Sequence, residues 1–167
     1  MKTPIITAFA LSALGLIHQA SATSSVPDDA EPVKRGRYLV TISGCNDCQT
    51  PGYLEGNGKV PESLWLTGSN VGFQGPWGTT YPTNLRHRVQ SLTETQWVER
   101  VRQPMRPPMP WFNLGAMKDE GLKAIYRYLT HLGPAGEPAP SPAAPGVEVT
   151  TPFFDFTPKN LPAIVQR

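Results

Sequence analysis

The chain has 167 residues, which favours one domain, and a formal net charge of +2 at pH 7. This small charge gives no indication of nucleic-acid or membrane-surface binding. Its two cysteines are too few for a disulfide-stapled scaffold or for a zinc site of four cysteines. At three residues apart they instead indicate a disulfide, a cofactor or metal anchor, or a redox pair.

The first 22 residues predict a secretory signal peptide. Lys2 precedes an almost wholly apolar run from Pro4 to Leu16, and Ala20-Ser21-Ala22 offers a cleavage site. The apolar run is too short to span a bilayer, which needs about 20 residues. We therefore expect cleavage after Ala22, a periplasmic mature chain without a membrane span, and a flexible arm at residues 23–31.

Residues from Pro32 to Ser43 predict the first helix of the mature chain. Pro32 favours a helix start, an apolar run follows, and Gly44 offers a stop just before the cysteines. Gly36 lies inside this helix, where glycine costs about 1 kcal/mol relative to alanine. A helix usually tolerates that cost for a close crossing, so we expect another helix to cross the first at Gly36.

The segment from Thr50 to Val89 predicts a long loop, rich in Gly, Pro, Thr and Asn. Short strands are possible in "LWLTGS" and in "GFQGPWGTTYPTNL". Loops of this length are usually functional or wrapped around something. Its aromatic residues favour a wrapped loop: Trp65, Phe73, Trp77 and Tyr81.

Two further helices follow the loop. Thr93 and Gln96 have the spacing of a capping box, which predicts a helix start, and the prolines of "PMRPPMPWF" end that helix. "MKDEGLKAIYRYLTHLG" predicts the clearest helix of the chain, stopped by Gly133 and the proline after it. Its apolar residues share one face: Leu122, Ile125, Tyr126, Leu129 and Leu132.

Residues 134–167 predict an extended tail, because eight of these 34 residues are proline. Phe153, Phe154 and Phe156 are candidates for docking on the surface of the domain. We expect the tail to be unnecessary for folding of the core.

The segments on either side of the long loop resemble class I cytochrome c. "RGRYLVTISGCNDC" is similar to the first helix and attachment site of that family, and "RPPMPWFNLGAMKDEGLKAIYRYLTHLG" to its distal-ligand loop and closing helix. "TTYPTNLR" is similar to cytochrome subunits that serve periplasmic alcohol and aldehyde dehydrogenases. The match runs from about Lys34 to Gly133.

The resemblance implies an all-α fold with three main helices in a domain at residues 32–133. It also implies one haem c per chain, attached through thioethers to Cys45 and Cys48. The resemblance further implies that Met109 is the distal iron ligand, and thioether sulfur is a soft ligand that raises the potential of haem iron. Met105 and Met117 are interpreted as packing residues.

Gln49 departs from the family, in which His follows the second cysteine and ligates the iron. A glutamine amide is a poor haem ligand, so proximal ligation and covalent attachment both stay open. His87 and His131 are interpreted as surface residues rather than replacements. His18 belongs to the predicted signal peptide.

Arginines and aromatic residues give less specific signals. One or two of the arginines could neutralise haem propionates, although a solvated basic face is the more typical role for any single one: Arg86, Arg88, Arg100, Arg102 and Arg106. Trp77, Tyr81 and Trp111 are candidates both for the wall of a haem pocket and for an ordinary core.

Three functions compete. The first is a non-enzymatic electron carrier, a single-haem cytochrome that passes one electron between a periplasmic dehydrogenase and a respiratory acceptor. The second is a haem-free binding or structural module in which Cys45 and Cys48 form a disulfide or an empty dithiol. The third is a thiol-disulfide oxidoreductase, which is weakest because the expected βαβ pattern around the cysteines is missing.

Overall fold

The structure, a computed structural model, describes residues 30–160. The predicted signal peptide, its cleavage after Ala22 and the last seven residues lie outside this range. Only the last two residues of the predicted arm at residues 23–31 are described, and they already belong to the first helix.

The described chain consists of short helices, three short strands and long connections. The α-helices are α1 Ala30–Ile42, α2 Cys45–Gln49, α3 Leu85–Arg88, α4 Glu94–Val101, α5 Trp111–Ala116 and α6 Asp119–Leu132. The strands are β1 Gly72–Gly75, β2 Gly78–Thr80 and β3 Phe153–Asp155, and 3-10 turns occupy Glu62–Leu64 and Val89–Ser91. None of the helices within residues 30–160 is long and apolar enough to cross a membrane.

The helix boundaries follow local signals in the sequence. Thr93 Oγ1 accepts a hydrogen bond from the Gln96 backbone N–H at 3.2 Å, and Gln96 Oε1 accepts one from the Thr93 N–H at 2.9 Å. The predicted capping box at the start of α4 is therefore confirmed. Gly133 ends α6 with a φ of 68°, a left-handed conformation that glycine adopts without a steric penalty.

The core lies where α1 and α4 pack on α6. Gly36 is buried at the crossing of α1 and α6, next to Ala124 and Tyr128, which confirms the predicted close approach. The loop between α2 and β1 adds Trp65 and Leu66 to the same cluster. The buried apolar residues include Leu39, Val40, Trp97, Val101, Leu122, Ile125, Tyr128 and Leu129.

A three-stranded sheet in the order β2-β1-β3 shows that the fold is not plainly all-α, because the tail adds a third strand to the two in the long loop, where short strands were predicted. β1 pairs antiparallel with β2, where Phe73 is opposite Thr80, and parallel with β3, where Phe73 is opposite Phe154. The backbone of a long loop must find hydrogen-bond partners, and the Pro-rich tail supplies some of them here. "LWLTGS" forms no strand, whereas "GFQGPWGTTYPTNL" supplies two.

Arg86 holds the end of α6 and the start of the tail in place. It is 6% exposed, and its guanidinium donates hydrogen bonds to the carbonyl oxygens of Ser63 at 2.6 Å, Gly133 at 2.5 Å and Leu132. These bonds satisfy carbonyl groups that a helix end leaves without partners. Burial lowers the pKa of Arg86 from its usual value.

Candidate functional site

A cavity of about 440 Å³ opens beside α2. This volume falls in the range of about 300–1,000 Å³ that is usual for small-molecule and cofactor sites. Its walls come from α2, the segment around α3, α4, the proline-rich loop before α5, and α6, with Pro142 of the tail. Apolar wall residues include Phe73, Tyr81, Leu85, Trp97, Val101, Leu114 and Ile125.

The sequence-predicted site residues meet in this cavity. Cys45, Cys48 and Gln49 line it from α2, and Met109 lines it from the proline-rich loop. Met105 also contributes to the wall. Residues about sixty positions apart in the sequence therefore face one space.

Hydrogen bonds to the long loop fix the helix that carries the cysteines. Thr50 Oγ1 donates to Asn46 Oδ1 at 2.7 Å and accepts from the Leu66 N–H at 2.8 Å. The Gly68 N–H donates to the Gln49 carbonyl at 2.8 Å. Because Asn46 and Thr50 are buried, these bonds set the position of α2 against the core.

Both cysteines are half-buried free thiols. Burial raises the pKa of the Cys45 thiol to about 11, and the charge of Asp47 acts in the same direction. Burial and Asp47 also raise the pKa of Cys48. Thiol-disulfide enzymes depend on a lowered thiol pKa, so this environment disfavours the oxidoreductase hypothesis.

Arg102 ties together the two ends of the segment between α4 and α6, which contains Met109 and α5. The guanidinium donates to the carbonyl oxygens of Gly115 at 2.8 Å and Met117 at 3.2 Å, and it also pairs with Asp119. Within this segment, the Met109 N–H donates to the Arg106 carbonyl at 3.2 Å. Met117 lies against Gly121 and does not contribute to the cavity wall.

The five predicted arginines separate into two groups. Arg86 and Arg102 bond backbone carbonyls, whereas Arg88, Arg100 and Arg106 line the cavity. None of the ion pairs in residues 30–160 includes the three lining arginines, and the wall contains no Asp, Glu or His. The cavity thus combines an apolar interior with cations that have no carboxylate partner.

The aromatic predictions are met in part. Tyr81 lines the cavity, but Trp77 and Trp111 do not. Trp97 does, and its indole N–H donates to the Leu122 carbonyl at 3.0 Å. In the sequence, only the apolar stripe of α4 pointed to Trp97, and that stripe predicts burial rather than a place at a cavity.

Thr80 contributes a buried polar atom without a protein partner. It lines the cavity, and its hydroxyl oxygen has no hydrogen bond inside the described part of the chain. Buried polar groups in proteins are nearly always paired, so the partner of this hydroxyl is a water molecule, an ion or a bound group.

Both described histidines lie away from the cavity wall. His87 Nε2 is 2.8 Å from the Gly136 carbonyl oxygen, and His131 is exposed. Between residues 30 and 160 there is no group of three or more His, Cys, Asp or Glu side chains that could hold a metal ion.

These residues fit a haem macrocycle and one axial ligand. Two cysteines, an apolar interior, three unpaired cations and a thioether match a flat apolar ring with anionic substituents and a soft iron ligand. They offer no nitrogen ligand at the position of Gln49.

The chain is 24% identical over 132 residues to a Gluconobacter oxydans (strain 621H) protein named "Alcohol dehydrogenase (quinone), cytochrome c subunit". The match covers 72% of this chain but 26% of the relative, so the chain spans about a quarter of that protein's length. No family model and no solved structure matches the chain. The similarity indicates a distant relationship to a cytochrome c subunit.

Proposed function

We propose that this chain is a periplasmic single-haem c-type cytochrome with a class I cytochrome c fold, which carries single electrons. The observation that carries the proposal is the meeting of Cys45, Cys48 and Met109 at one apolar cavity. Haem, when bound, supplies the one-electron couple. The protein holds, shields and tunes that couple, and it performs no substrate chemistry of its own.

Each wall residue has a role in this proposal. Cys45 and Cys48 would hold haem through thioethers, each S–H adding across one vinyl group so that sulfur bonds one vinyl carbon and the proton goes to the other. Met109, flanked by prolines on both sides, would supply a thioether ligand to the iron. Arg88, Arg100 and Arg106 would neutralise the propionates, since guanidinium groups pair well with carboxylates.

The proposed partners are a periplasmic dehydrogenase as electron donor and a respiratory protein as acceptor. The printed name of the Gluconobacter relative, a cytochrome c subunit of a quinone alcohol dehydrogenase, supports the first of these. This chain corresponds to about a quarter of that relative, which is compatible with one cytochrome unit of a larger protein.

The test is export of the full chain from a bacterial host that contains the cytochrome c maturation proteins. Covalent haem would appear as one added haem mass and as sharp ferrous absorption bands. Cys45→Ser with Cys48→Ser should remove both signals. Met109→Leu should retain the haem mass but change the ferric spectrum, whereas Met117→Leu should leave both unchanged.

A chain exported without haem would contradict the proposal. That outcome would favour the haem-free module in which the two cysteines remain a disulfide or an empty dithiol.

A further inference from the structure

Gln49 presents an unused amide to the cavity. The residue is half-buried at the end of α2 and contributes to the cavity wall. Its backbone carbonyl is held by the Gly68 N–H at 2.8 Å, so the main chain here is fixed. Its side chain makes no hydrogen bond within the described residues, and so the amide is available to a group inside the cavity.

The wall offers no strong second ligand for iron. It contains four sulfur side chains, of which Cys45 and Cys48 are assigned to thioethers, leaving Met105 and Met109. His and Lys are both missing from the wall, and the Tyr81 hydroxyl is bound to Thr151 Oγ1 at 2.5 Å. Methionine can therefore supply one axial ligand, and no residue of the described wall supplies an imidazole for the other.

We propose that the Gln49 side of this cavity accepts a small exogenous nitrogen-donor molecule as a ligand of haem iron, with the Gln49 amide oxygen accepting a hydrogen bond from an N–H group of that molecule. The inference rests on the proposed function and adds a second property to the same site. In haem proteins, the polarity, the hydrogen-bonding groups and the steric access of the pocket beside the iron decide between ligand binding and electron transfer.

The experiment uses imidazole as the probe and the full chain as the protein. Haem-loaded protein comes from export with maturation proteins. As a second preparation, one equivalent of haemin is added to purified reduced protein, so that the titration does not depend on covalent attachment. Imidazole binding is followed by the shift of the ferric Soret band, and the spin state is read by electron paramagnetic resonance.

Two variants at Gln49 test whether the iron has a free coordination site on this side: one leaves the site free, and the other fills it with a histidine side chain. Gln49→Leu removes the amide but adds no ligand, and loss of one hydrogen bond should weaken imidazole binding by about 2- to 10-fold. Gln49→His supplies a built-in imidazole at high effective concentration and should weaken binding at least about a hundredfold. Gln49→His should also convert the ferric iron to low spin before imidazole is added. Equal haem stoichiometry and equal far-UV circular dichroism show that both variants remain folded and loaded.

The outcomes distinguish this inference from the proposed function. Equal imidazole affinity in the original chain and in Gln49→His would place the added ligand away from Gln49 and overturn the inference. The inference is also overturned if imidazole does not change the spectrum of the original chain. Covalent haem without an imidazole response leaves the cytochrome proposal standing alone. If the chain binds haemin and shows the expected imidazole response, but carries no covalent haem after export, the inference stands and the c-type assignment is overturned. A chain that neither acquires covalent haem on export nor binds haemin at one equivalent overturns both.

Discussion

Arg86 is a buried cation that bonds carbonyl groups rather than a carboxylate. Arginine has five N–H donors in a fixed plane, and here three carbonyl oxygens from two distant segments accept from them. Its neighbour Arg88 lines the cavity. At the residue scale, two arginines two positions apart therefore lie in different surroundings, one among backbone carbonyls and one at the cavity wall.

Arg86→Met is expected to lower the free energy of unfolding by about 2–4 kcal/mol. The substitution keeps much of the apolar volume but leaves buried carbonyls without a donor, and each costs roughly 1–3 kcal/mol where water cannot reach it. Urea denaturation measures the change. Arg35→Met, at an exposed position on α1, is the matched control and should change stability by less than about 0.5 kcal/mol. Equal losses in the two variants would show that the carbonyl bonds of Arg86 contribute nothing.

Glu62 accepts two hydrogen bonds at one carboxylate oxygen. Tyr128 Oη donates to Glu62 Oε1 at 2.6 Å, and Arg37 Nε donates to the same atom at 2.9 Å. Burial alone would raise the pKa of Glu62, but the hydrogen bonds and the positive charge of Arg37 outweigh it and lower the pKa. Burial, followed by the bond to Glu62, raises the pKa of Tyr128.

The lowered pKa of Glu62 predicts a stability difference that depends on pH. A carboxyl group with a lower pKa in the folded state stabilises the fold above its unfolded pKa, and this contribution is lost as pH falls through the folded pKa. Glu62→Gln should therefore be less stable than the original chain at pH 7, by about 1 kcal/mol or less because the pair is partly exposed.

The Glu62→Gln difference should shrink below pH 4.5, the usual value for the carboxyl group, as thermal unfolding at successive pH values will show. In a Tyr128→Phe background the same substitution should show a smaller pH dependence, because one of the two donors is gone. A difference that stays constant between pH 7 and pH 3 would contradict the assignment.

The crossing of α1 and α6 depends on the missing side chain of Gly36. A Cβ atom at this position would overlap the Ala124 carbonyl oxygen and lie 2.6 Å from the Tyr128 Cβ. Both neighbours belong to the buried face of α6, so neither can move without shifting the helix. At the element scale, the stabilisation from packing α1 closely on α6 outweighs the helix propensity lost by having glycine inside α1.

Gly36→Ala should destabilise the fold by about 1–3 kcal/mol, the usual cost of overpacking, although alanine is the better helix former. Gly115→Ala is the control, because Gly115 lies in α5 with no heavy atom within 4 Å of an added Cβ. That variant should be neutral or more stable by up to about 1 kcal/mol. Chemical denaturation of both variants measures the contrast, and a stabilised Gly36→Ala would show that the two helices are free to separate.

The elements that sequence predicted well are those set by nearby residues. The Thr93 and Gln96 box and the stop at Gly133 rest on local backbone chemistry, and Gly36 indicated a crossing without specifying which helix crosses there. The pairing of β1 with β3 joins residues about eighty positions apart, and no local pattern specifies such a partner.

The candidate site divides in the same way. Cys45, Cys48 and Met109 were predicted to meet because their surroundings resemble a known family, and the cavity contains all three. The contribution of Pro142 has no signal in the sequence, because its place depends on where the tail crosses the long loop.

The tail is attached to the domain but contributes little to its core. Ala143 pairs with Thr79, β3 pairs with β1, and Asn84 Nδ2 donates to the carbonyls of Ala135 at 2.8 Å and Glu137 at 3.1 Å. In the described range, the buried apolar cluster and the apolar residues packed against it end at Leu132. At the scale of the whole molecule, the tail fastens the long loop rather than the helices.

Deletion of residues 134–167 should leave a cooperative thermal transition, shifted to lower temperature. The shortened chain should be cleaved faster by proteases within residues 69–82, because that segment loses β3 and the Ala143 pairing. Circular dichroism gives the transition, and mass spectrometry locates the cleavage sites. A broad, non-cooperative transition would show that the tail belongs to the core.

The bonds from Arg102 to Gly115 and Met117 have a kinetic consequence. They join the two ends of the segment between α4 and α6. The middle of this segment, around Met109, can therefore open without any displacement of α4 or α6. Amide hydrogens of residues 105–113 should then exchange with solvent through brief local openings, while those in the middle of α6 exchange only on global unfolding. In the proposed cytochrome, the Met109 thioether would dissociate from iron at the rate at which this segment opens, which would be many times faster than the unfolding of the whole domain.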